Sequence, residues 1–335
     1  MSAAAFLNRI WYGNSPLRWA LWPVSVAYRG LATLRRTAYR RGWRAAVEPP
    51  VPVIVVGNVS VGGTGKTPFV IWLAAQLMQR GRRVGIVTRG YRGKGTEWPR
   101  AVTPDSDPAE VGDEPVLLAR RTGCPVVAGP DRVACVEALL EQSRVDVVLS
   151  DDGLQHYRLG RVFEIAVVDG ARGMGNGLCL PAGPLREPPS RLQEVDAIVV
   201  NGEGWGHAGV FRARAVVTKV YRLRDGEQRT LESFASQPIV HAVAGIGNPQ
   251  RFFELLRDAG LEVEEHPLDD HAEISREALT FDEPGPVLIT EKDAVKCEHL
   301  EPDDVWCVVV DFEFDADSTA RLLRLVLRDI GARTV

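Results

Sequence analysis

Gly57-Asn58-Val59-Ser60-Val61-Gly62-Gly63-Thr64-Gly65-Lys66-Thr67-Pro68 follows an apolar run at residues 53–56 and precedes a helical pattern over residues 69–78. Strand, glycine-rich turn and helix, in that order, are the setting of a phosphate-binding loop. The glycines free backbone N–H groups to point inward at an anion, and the helix N-terminus adds partial positive charge. Ser60, Val61, Gly62, Gly63, Thr64, Gly65, Lys66 and Thr67 are accordingly assigned to nucleotide phosphates. Lys66 is expected to reach the β- and γ-phosphates and Thr67 to ligate Mg²⁺. One position departs from the general pattern G-x-x-x-x-G-K-[ST], which wants glycine where this chain has Ser60. Gly62 and Gly63 keep the turn flexible.

Around this loop, apolar runs alternate with helical patterns. Residues 51–56, 83–87, 125–128, 145–149, 165–168 and 197–200 read as buried strands, and 68–80, 114–121 and 131–143 as helices. The alternation predicts an α/β fold of P-loop NTPase type, with a mostly parallel sheet and helices on both faces. Ligands on such sheets bind at the carboxyl ends of strands. Beyond residue 202 the pattern weakens and then resumes. Strands are expected at 216–223, 239–243, 287–289 and 306–310, and helices at 249–259 and 317–327. The expected organisation is an N-terminal basic amphipathic segment (1–47), a P-loop kinase domain (48–214) and a smaller C-terminal α/β unit (215–335). A length of 335 residues suits more than one domain at roughly 150 residues each.

Charge is unevenly spread. Residues 1–47 hold eight Arg, no Lys and no acid, so the rest of the chain carries 32 basic against 44 acidic residues. The same segment holds four of the eight Trp, with Tyr12, Tyr28 and Tyr39. Ser15-Pro16 is a helix-start signal, and Pro23 is expected to kink or split the helix. At 100° per residue Arg18, Arg29, Arg36 and Arg40 share a narrow arc. Residues 19–28 are uncharged, which is half the roughly 20 residues that span a bilayer. A basic helix with interfacial aromatics suits the headgroup layer of an anionic membrane. An ordinary surface helix, a subunit contact or a nucleic-acid contact are the competing readings, and nothing else in the chain resembles an RNA or DNA module. The five cysteines include no C-x-x-C pair; they read as small core residues in a reducing compartment rather than as disulfides or a zinc site.

Several motifs lie where ligands are expected. An apolar strand ends in Asp151-Asp152-Gly153, the arrangement that places a carboxylate to hold Mg²⁺ opposite a P-loop threonine. Gly112-Asp113-Glu114-Pro115 opens a helix, where Asp113 reads either as an N-cap or as an acceptor for a substrate hydroxyl proton. Asp269-Asp270-His271 sits in a polar loop, with His271 either a surface residue or the partner of an active-site acid. Arg89-Gly90-Tyr91, Gly129-Pro130-Asp131-Arg132 and Pro184-Leu185-Arg186-Glu187 each bring an arginine to the expected ligand edge, as a phosphate fork or as a solvated loop residue.

Taken together, these strings resemble the tetraacyldisaccharide 4′-kinases of lipid A synthesis. The resemblance also runs through Asp151-Asp152-Gly153-Leu154-Gln155-His156, Leu180-Pro181-Ala182-Gly183-Pro184-Leu185-Arg186-Glu187 and Thr290-Glu291-Lys292-Asp293-Ala294. In that family Ser60 looks normal. The resemblance implies ATP- and Mg²⁺-dependent phosphorylation of the 4′-hydroxyl of a tetraacyl glucosamine disaccharide 1-phosphate. It implies a peripheral enzyme on the cytoplasmic face of the bacterial inner membrane. It gives Asp113 the role of catalytic base, His271 that of its orienting partner, and Asp152, with Asp151 nearby, the metal. Arg186 and Glu187 become active-site loop residues; Arg89, Tyr91, Arg132 and His156 join them as substrate candidates. The rival readings are a GTP-driven switch or metallochaperone, a nucleotide-binding membrane adaptor and a soluble small-metabolite kinase. The guanine clamp that a switch usually carries is matched poorly by Thr290-Glu291-Lys292-Asp293, whose lysine stands one place too late.

Overall fold

The computed structural model describes residues 3–91, 93–270, 272–300 and 302–332. Its strands are β1 (Val53–Gly57), β2 (Val84–Thr88), β3 (Arg100–Val102), β4 (Val126–Ala128), β5 (Val147–Ser150), β6 (Phe163–Asp169), β7 (Ala197–Asn201), β8 (Phe211–Arg222), β9 (Gln228–Arg229), β10 (Val240–Ala244), β11 (Val263–Pro267), β12 (Val287–Thr290) and β13 (Val305–Glu313). Its α-helices are α1 (Ala3–Trp11), α2 (Leu17–Arg40), α3 (Lys66–Met78), α4 (Pro108–Val111), α5 (Asp113–Thr122), α6 (Arg132–Gln142), α7 (Pro249–Asp258), α8 (Glu291–Cys297) and α9 (Ala316–Gly331). The strands form one sheet in the order β11-β10-β12-β13-β8-β7-β6-β1-β5-β2-β4-β3, with β9 on β8. Pairing is parallel except at β3–β4, β8–β9 and β8–β13.

Strand β8 makes the sheet continuous. Residues Phe211 to Ala213 pair with β7, and Arg214 to Arg222 pair with β13. The strand expected at 216–223 therefore begins five residues earlier, at Phe211. The expected boundary after residue 214 falls inside it, next to the change of partner.

Alternation along β1 sorts its side chains to two faces. Ile54 and Val56 pack with α3, α5 and the C-terminal α9, whereas Val53 and Val55 pack with α6. Further along the sheet, Phe252, Phe253 and Leu256 of α7 cover one face, and Ala294 and Cys297 of α8 cover the other. Six strands and three helices of the first unit lie where the periodicity places them. All five cysteines are free and buried, in line with their reading as core residues.

In the N-terminal segment the split expected as one alternative at Pro23 does not occur. Helix α2 runs unbroken from Leu17 through Pro23 to Arg40, with Pro16 at its N-cap position and no side-chain cap. A proline removes a single ladder bond, and the helix is held in place by contacts to the body. Ser25 Oγ donates to Cys179 O at 2.5 Å, and Trp11 Nε1 of α1 donates to Pro181 O at 3.0 Å. Arg36 is buried against Glu194, which also pairs with Arg40. Two of the four arginines in the expected basic arc thus spend their charge on the body. The face left open carries Trp19, Trp22, Val24, Val26, Leu31 and Leu34, all exposed. No helix among the described residues is long and apolar enough to cross a membrane.

Candidate active site

The phosphate loop is built as its sequence requires. Gly65 sits at the N-cap of α3 with φ +91°, and Phe69 N donates back to Gly65 O at 3.2 Å. A β-carbon at Gly65 would stand 2.5 Å from Asn201 Nδ2 and 2.6 Å from Phe312 Cζ. Gly65→Ala is expected to lower stability by about 1–3 kcal/mol and to abolish the rise in melting temperature given by ATP. A variant whose melting temperature still rises with ATP as far as that of the natural chain would contradict this. The Ser60 departure also has a physical cause. Ser60 forms an antiparallel bridge to Leu185, and Val61 N donates to Pro184 O at 2.8 Å. Ser60 is not among the residues with positive φ, so a side chain is tolerated there. The same pairing brings Arg186 up to the loop, with its N–H on Val59 O at 2.7 Å.

Two asparagines brace the loop. Asn58 Nδ2 donates to Thr64 Oγ1 at 3.4 Å and Asn201 Nδ2 donates to Thr64 O at 3.2 Å. Gly247, from the segment after β10, lies against Gly63, and its carbonyl accepts from Arg172 at 3.0 Å. Asp169 of β6 accepts from Asn248 at 3.0 Å and from Arg251 at 3.2 Å. Residues of the C-terminal part therefore close over the phosphate loop.

The double acid splits into two environments. Asp152 adopts φ +48° and turns its carboxylate to Lys66 Nζ at 3.3 Å and Arg186 Nη1 at 2.9 Å. Burial opposes its charge, but these two cations hold it well below the usual carboxylate range. Asp151 is 1% exposed, and its Oδ2 accepts from Thr88 Oγ1 at 3.4 Å. Its Oδ1 is buried without a hydrogen-bond partner among the described residues. Burial first, and then the negative charge of Glu114, pushes Asp151 up to about 7. An oxygen of this kind beside a phosphate loop fits a divalent cation, and Thr67, Asp152 and Asp151 are the residues present to hold one.

Asp151 has a consequence for stability. Its folded value lies above the ordinary carboxylate value near 3.9, so folding favours its protonated form. That contribution is full below about pH 4 and is lost as pH rises through about 7. In the presence of a chelator, Asp151→Asn mimics the protonated acid. It is expected to melt progressively higher than the unsubstituted protein between about pH 5.5 and about pH 8.5. A difference in melting temperature that does not vary with pH would count against it.

A second charged cluster spans the two halves of the chain. Asp113, the first residue of α5, is buried and accepts from Glu114 N at 2.9 Å. Lys292 Nζ of α8 lies 3.1 Å from Glu114, 3.3 Å from Asp270 and 4.0 Å from Asp113. Burial disfavours the Lys292 cation, but Glu114, Asp113 and Asp270 outweigh it and raise its pKa above the ordinary lysine value. Lys292 was not among the site residues assigned from sequence. Its string Thr290-Glu291-Lys292-Asp293 was the available signal, yet its acidic partners are remote in sequence. Asp293 is fully buried and accepts from Gly245 N, Thr290 Oγ1 and Lys296 Nζ. With its oxygens engaged in this way, it does not face a nucleotide base as a guanine clamp would.

One cavity of about 800 Å³ joins these parts. Residues Val61 to Thr67, Arg89, Tyr91, Asp152, His156, Arg186 and Lys292 line it. Ile246, Phe252, Val308, Val310 and Phe312 form an apolar wall, and Tyr28 and Arg35 of α2 stand at another border. His156 is pushed down to about 4, by burial and then by the neighbouring Arg132 cation, so it offers the cavity a neutral ring. Five assigned residues among those described do not line it. Ser60, Asp113 and Asp151 are buried at its edge. Arg132 is buried, with its guanidinium on the carbonyls of Gly129 and Asp151. Glu187 is also turned inward, accepting from Gln155 at 2.9 Å and from Tyr157 OH. His271 lies outside the described residues.

Comparison with known proteins gives concordant matches. The sequence model of the family described as Tetraacyldisaccharide-1-P 4'-kinase matches residues 17–328. The Tetraacyldisaccharide 4'-kinase of Nitrosococcus oceani is 50% identical over 323 residues, covering 96% of this chain and 95% of its own. That of Alkalilimnicola ehrlichii is 52% identical over 310 residues, covering 90% and 91%. A crystal structure of LpxK from Aquifex aeolicus in complex with ATP matches with a TM-score of 0.78 at 29% identity, covering 94% of this chain and 99% of that one.

Proposed function

The chain belongs to the tetraacyldisaccharide-1-P 4′-kinase family, and from that premise we infer that it transfers the γ-phosphoryl group of ATP to the 4′-hydroxyl of a tetraacylated glucosamine disaccharide 1-phosphate. The observation that carries this reading is the single cavity running from the phosphate loop past Asp152 and Arg186 to Tyr28 and Arg35 of α2. It puts a triphosphate nest and an exposed apolar helix at borders of the same space, which suits a nucleotide at one side and a lipid-borne sugar at the other.

In this reading the amides of residues 62–67 and Lys66 hold the β- and γ-phosphates, and Lys66 leaves Asp152 to do so. Thr67, Asp152 and Asp151 would hold Mg²⁺, which would supply positive charge against the phosphate oxygens. The apolar wall takes the purine. Arg89 and Arg186 carry planar donor forks toward anionic oxygens. Asp113 accepts the proton of the attacking hydroxyl, and Lys292 holds Asp113, Glu114 and Asp270 in one charged group. His271 is assigned to orient Asp113. Arg132 and Glu187 act by positioning, Arg132 through the backbone of Asp151 and Glu187 through Gln155. Residues 48–214 carry the phosphoryl chemistry and residues 215–335 complete the far wall.

Residues 1–47 rest on an anionic membrane surface, on the cytoplasmic face of the inner membrane, with Trp19, Trp22, Leu31 and Leu34 in the acyl boundary. Replacing these four by serine is expected to lower binding to anionic vesicles by at least about tenfold, since each buried side chain is worth roughly 1.5–3 kcal/mol. Flotation equal to that of the unsubstituted chain would exclude this face as the contact. The activity itself is tested by thin-layer separation of label transferred from γ-labelled ATP to a detergent-dispersed acylated disaccharide 1-phosphate. Labelled lipid is expected with the natural chain and none with Lys66→Ala; absence of labelled lipid from both would overturn the assignment.

A further inference from the structure

Away from the cavity, three side chains able to bind a metal meet at the outer edge of the sheet. The parallel register sets His241 of β10 beside Glu264 of β11, and Val243 beside His266. Glu264 and His266, two residues apart, share one face of their strand. His241 Nδ1 lies 3.1 Å from His266 Nε2 and 3.2 Å from Glu264 Oε2, and all three ligand atoms fall within 4.8 Å of one another.

The protons of His241 are set by its other nitrogen. Nε2 lies 2.9 Å from the carbonyl oxygen of Glu283. A carbonyl only accepts, so Nε2 carries hydrogen, and a neutral ring then leaves a lone pair on Nδ1. That lone pair faces a carboxylate oxygen and a second imidazole, an arrangement that calls for a cation between them. One imidazole nitrogen on a backbone carbonyl and the other on the ion is how metal-bound histidines are commonly oriented. Phe281 stacks on both rings, at 4.2 Å from His241 and 4.0 Å from His266. His241 is 1% exposed, so its ring is fixed, whereas the Glu264 side chain is 47% exposed and leaves a path from solvent. A tetrahedral ion with bonds of about 2.0–2.1 Å spaces its ligands roughly 3.3–3.4 Å apart, close to the two separations at Nδ1.

We propose that His241, Glu264 and His266 form a binding site for a divalent transition cation of the zinc class, with its fourth position open to water. Two imidazoles and one carboxylate match zinc rather than the all-oxygen preference of Mg²⁺ or Ca²⁺. Binding displaces the proton shared by the two facing ring nitrogens, which passes to solvent. The ion ties β10 and β11 to the segment holding Phe281 and Glu283. Strand β10 continues to Gly247 at the phosphate loop, and β11 continues to Asp270 in the Lys292 cluster.

The test uses the full chain, stripped of metal and then saturated with Mg²⁺ and a nonhydrolysable ATP analogue so that the phosphate site is filled. It is titrated with Zn²⁺ alone against a chromophoric competitor. One equivalent is expected to bind and to raise the melting temperature. The double substitution Glu264→Gln, His266→Gln is expected to weaken that binding by at least about tenfold, with the zinc-free melting temperature and circular dichroism unchanged. Binding through any of the five buried cysteines would survive these substitutions. Zinc taken up equally by both proteins, or by neither, overturns the site and leaves a hydrogen-bonded trio. Should the double variant not fold, His266→Gln alone gives the same reading.

Discussion

Asp113→Asn is expected to lower kcat by about 10²–10⁴-fold, the usual worth of a positioned general base, while ATP binds as before. Asparagine keeps the acceptor oxygen that receives Glu114 N at 2.9 Å, and it fills the same buried space at the start of α5. What it loses is the capacity to take a proton and the charge facing Lys292 at 4.0 Å. The contrast between chemistry and binding decides the role. Asp113 does not line the phosphate loop, so ATP titration calorimetry should give an affinity close to that of the natural chain. A fall in ATP affinity as large as the fall in turnover would make Asp113 a structural N-terminal residue of its helix. Full turnover in the variant would remove it from the chemistry altogether.

Lys66→Ala is expected to lower kcat/KM by at least about 10²–10³-fold, by loss of a preorganised cation at the developing phosphate charge. Lys66 is held at the mouth of α3 by Asp152 at 3.3 Å, with both side chains largely buried. The substitution therefore also removes one of the two cations that hold Asp152 ionised, leaving Arg186 at 2.9 Å. Lys66→Arg should not rescue activity, because a planar fork does not replace a compact ammonium in a closed loop. Steady-state assays at saturating Mg²⁺ check both variants. Turnover within a few-fold of the natural chain in either would contradict the role given to Lys66.

The parts legible in sequence are those governed by short-range rules. The β1–loop–α3 unit was readable because a buried strand, a glycine needing positive φ and an apolar helix follow one another without interruption. The double acid after β5 was readable for the same reason. Features that depend on partners remote in sequence were not. Lys292 reaches Glu114 across 178 residues, and no local pattern marks that pairing. Strand β11, Val263–Pro267, has a mixed polar surface at the sheet edge, so it lacks the apolar alternation that identifies a strand. Helix α8 spans only seven residues, too few to display a period. Charge pattern alone likewise did not show that Arg36 and Arg40 turn to Glu194, which lies in a loop far along the chain. The arginine motifs were found by position, yet only the fold separates Arg89 and Arg186, which line the cavity, from Arg132, which is buried beneath it.

The central claim, a phosphate loop that serves a lipid-borne sugar alcohol, is tested most directly by locating the transferred phosphate. Phosphorus NMR of the product formed from ATP and a tetraacyl disaccharide 1-phosphate should show a new phosphomonoester coupled to the 4′ proton, with the 1-phosphate signal unchanged. A new phosphoanhydride at position 1, or free inorganic phosphate as the sole product, would contradict the account.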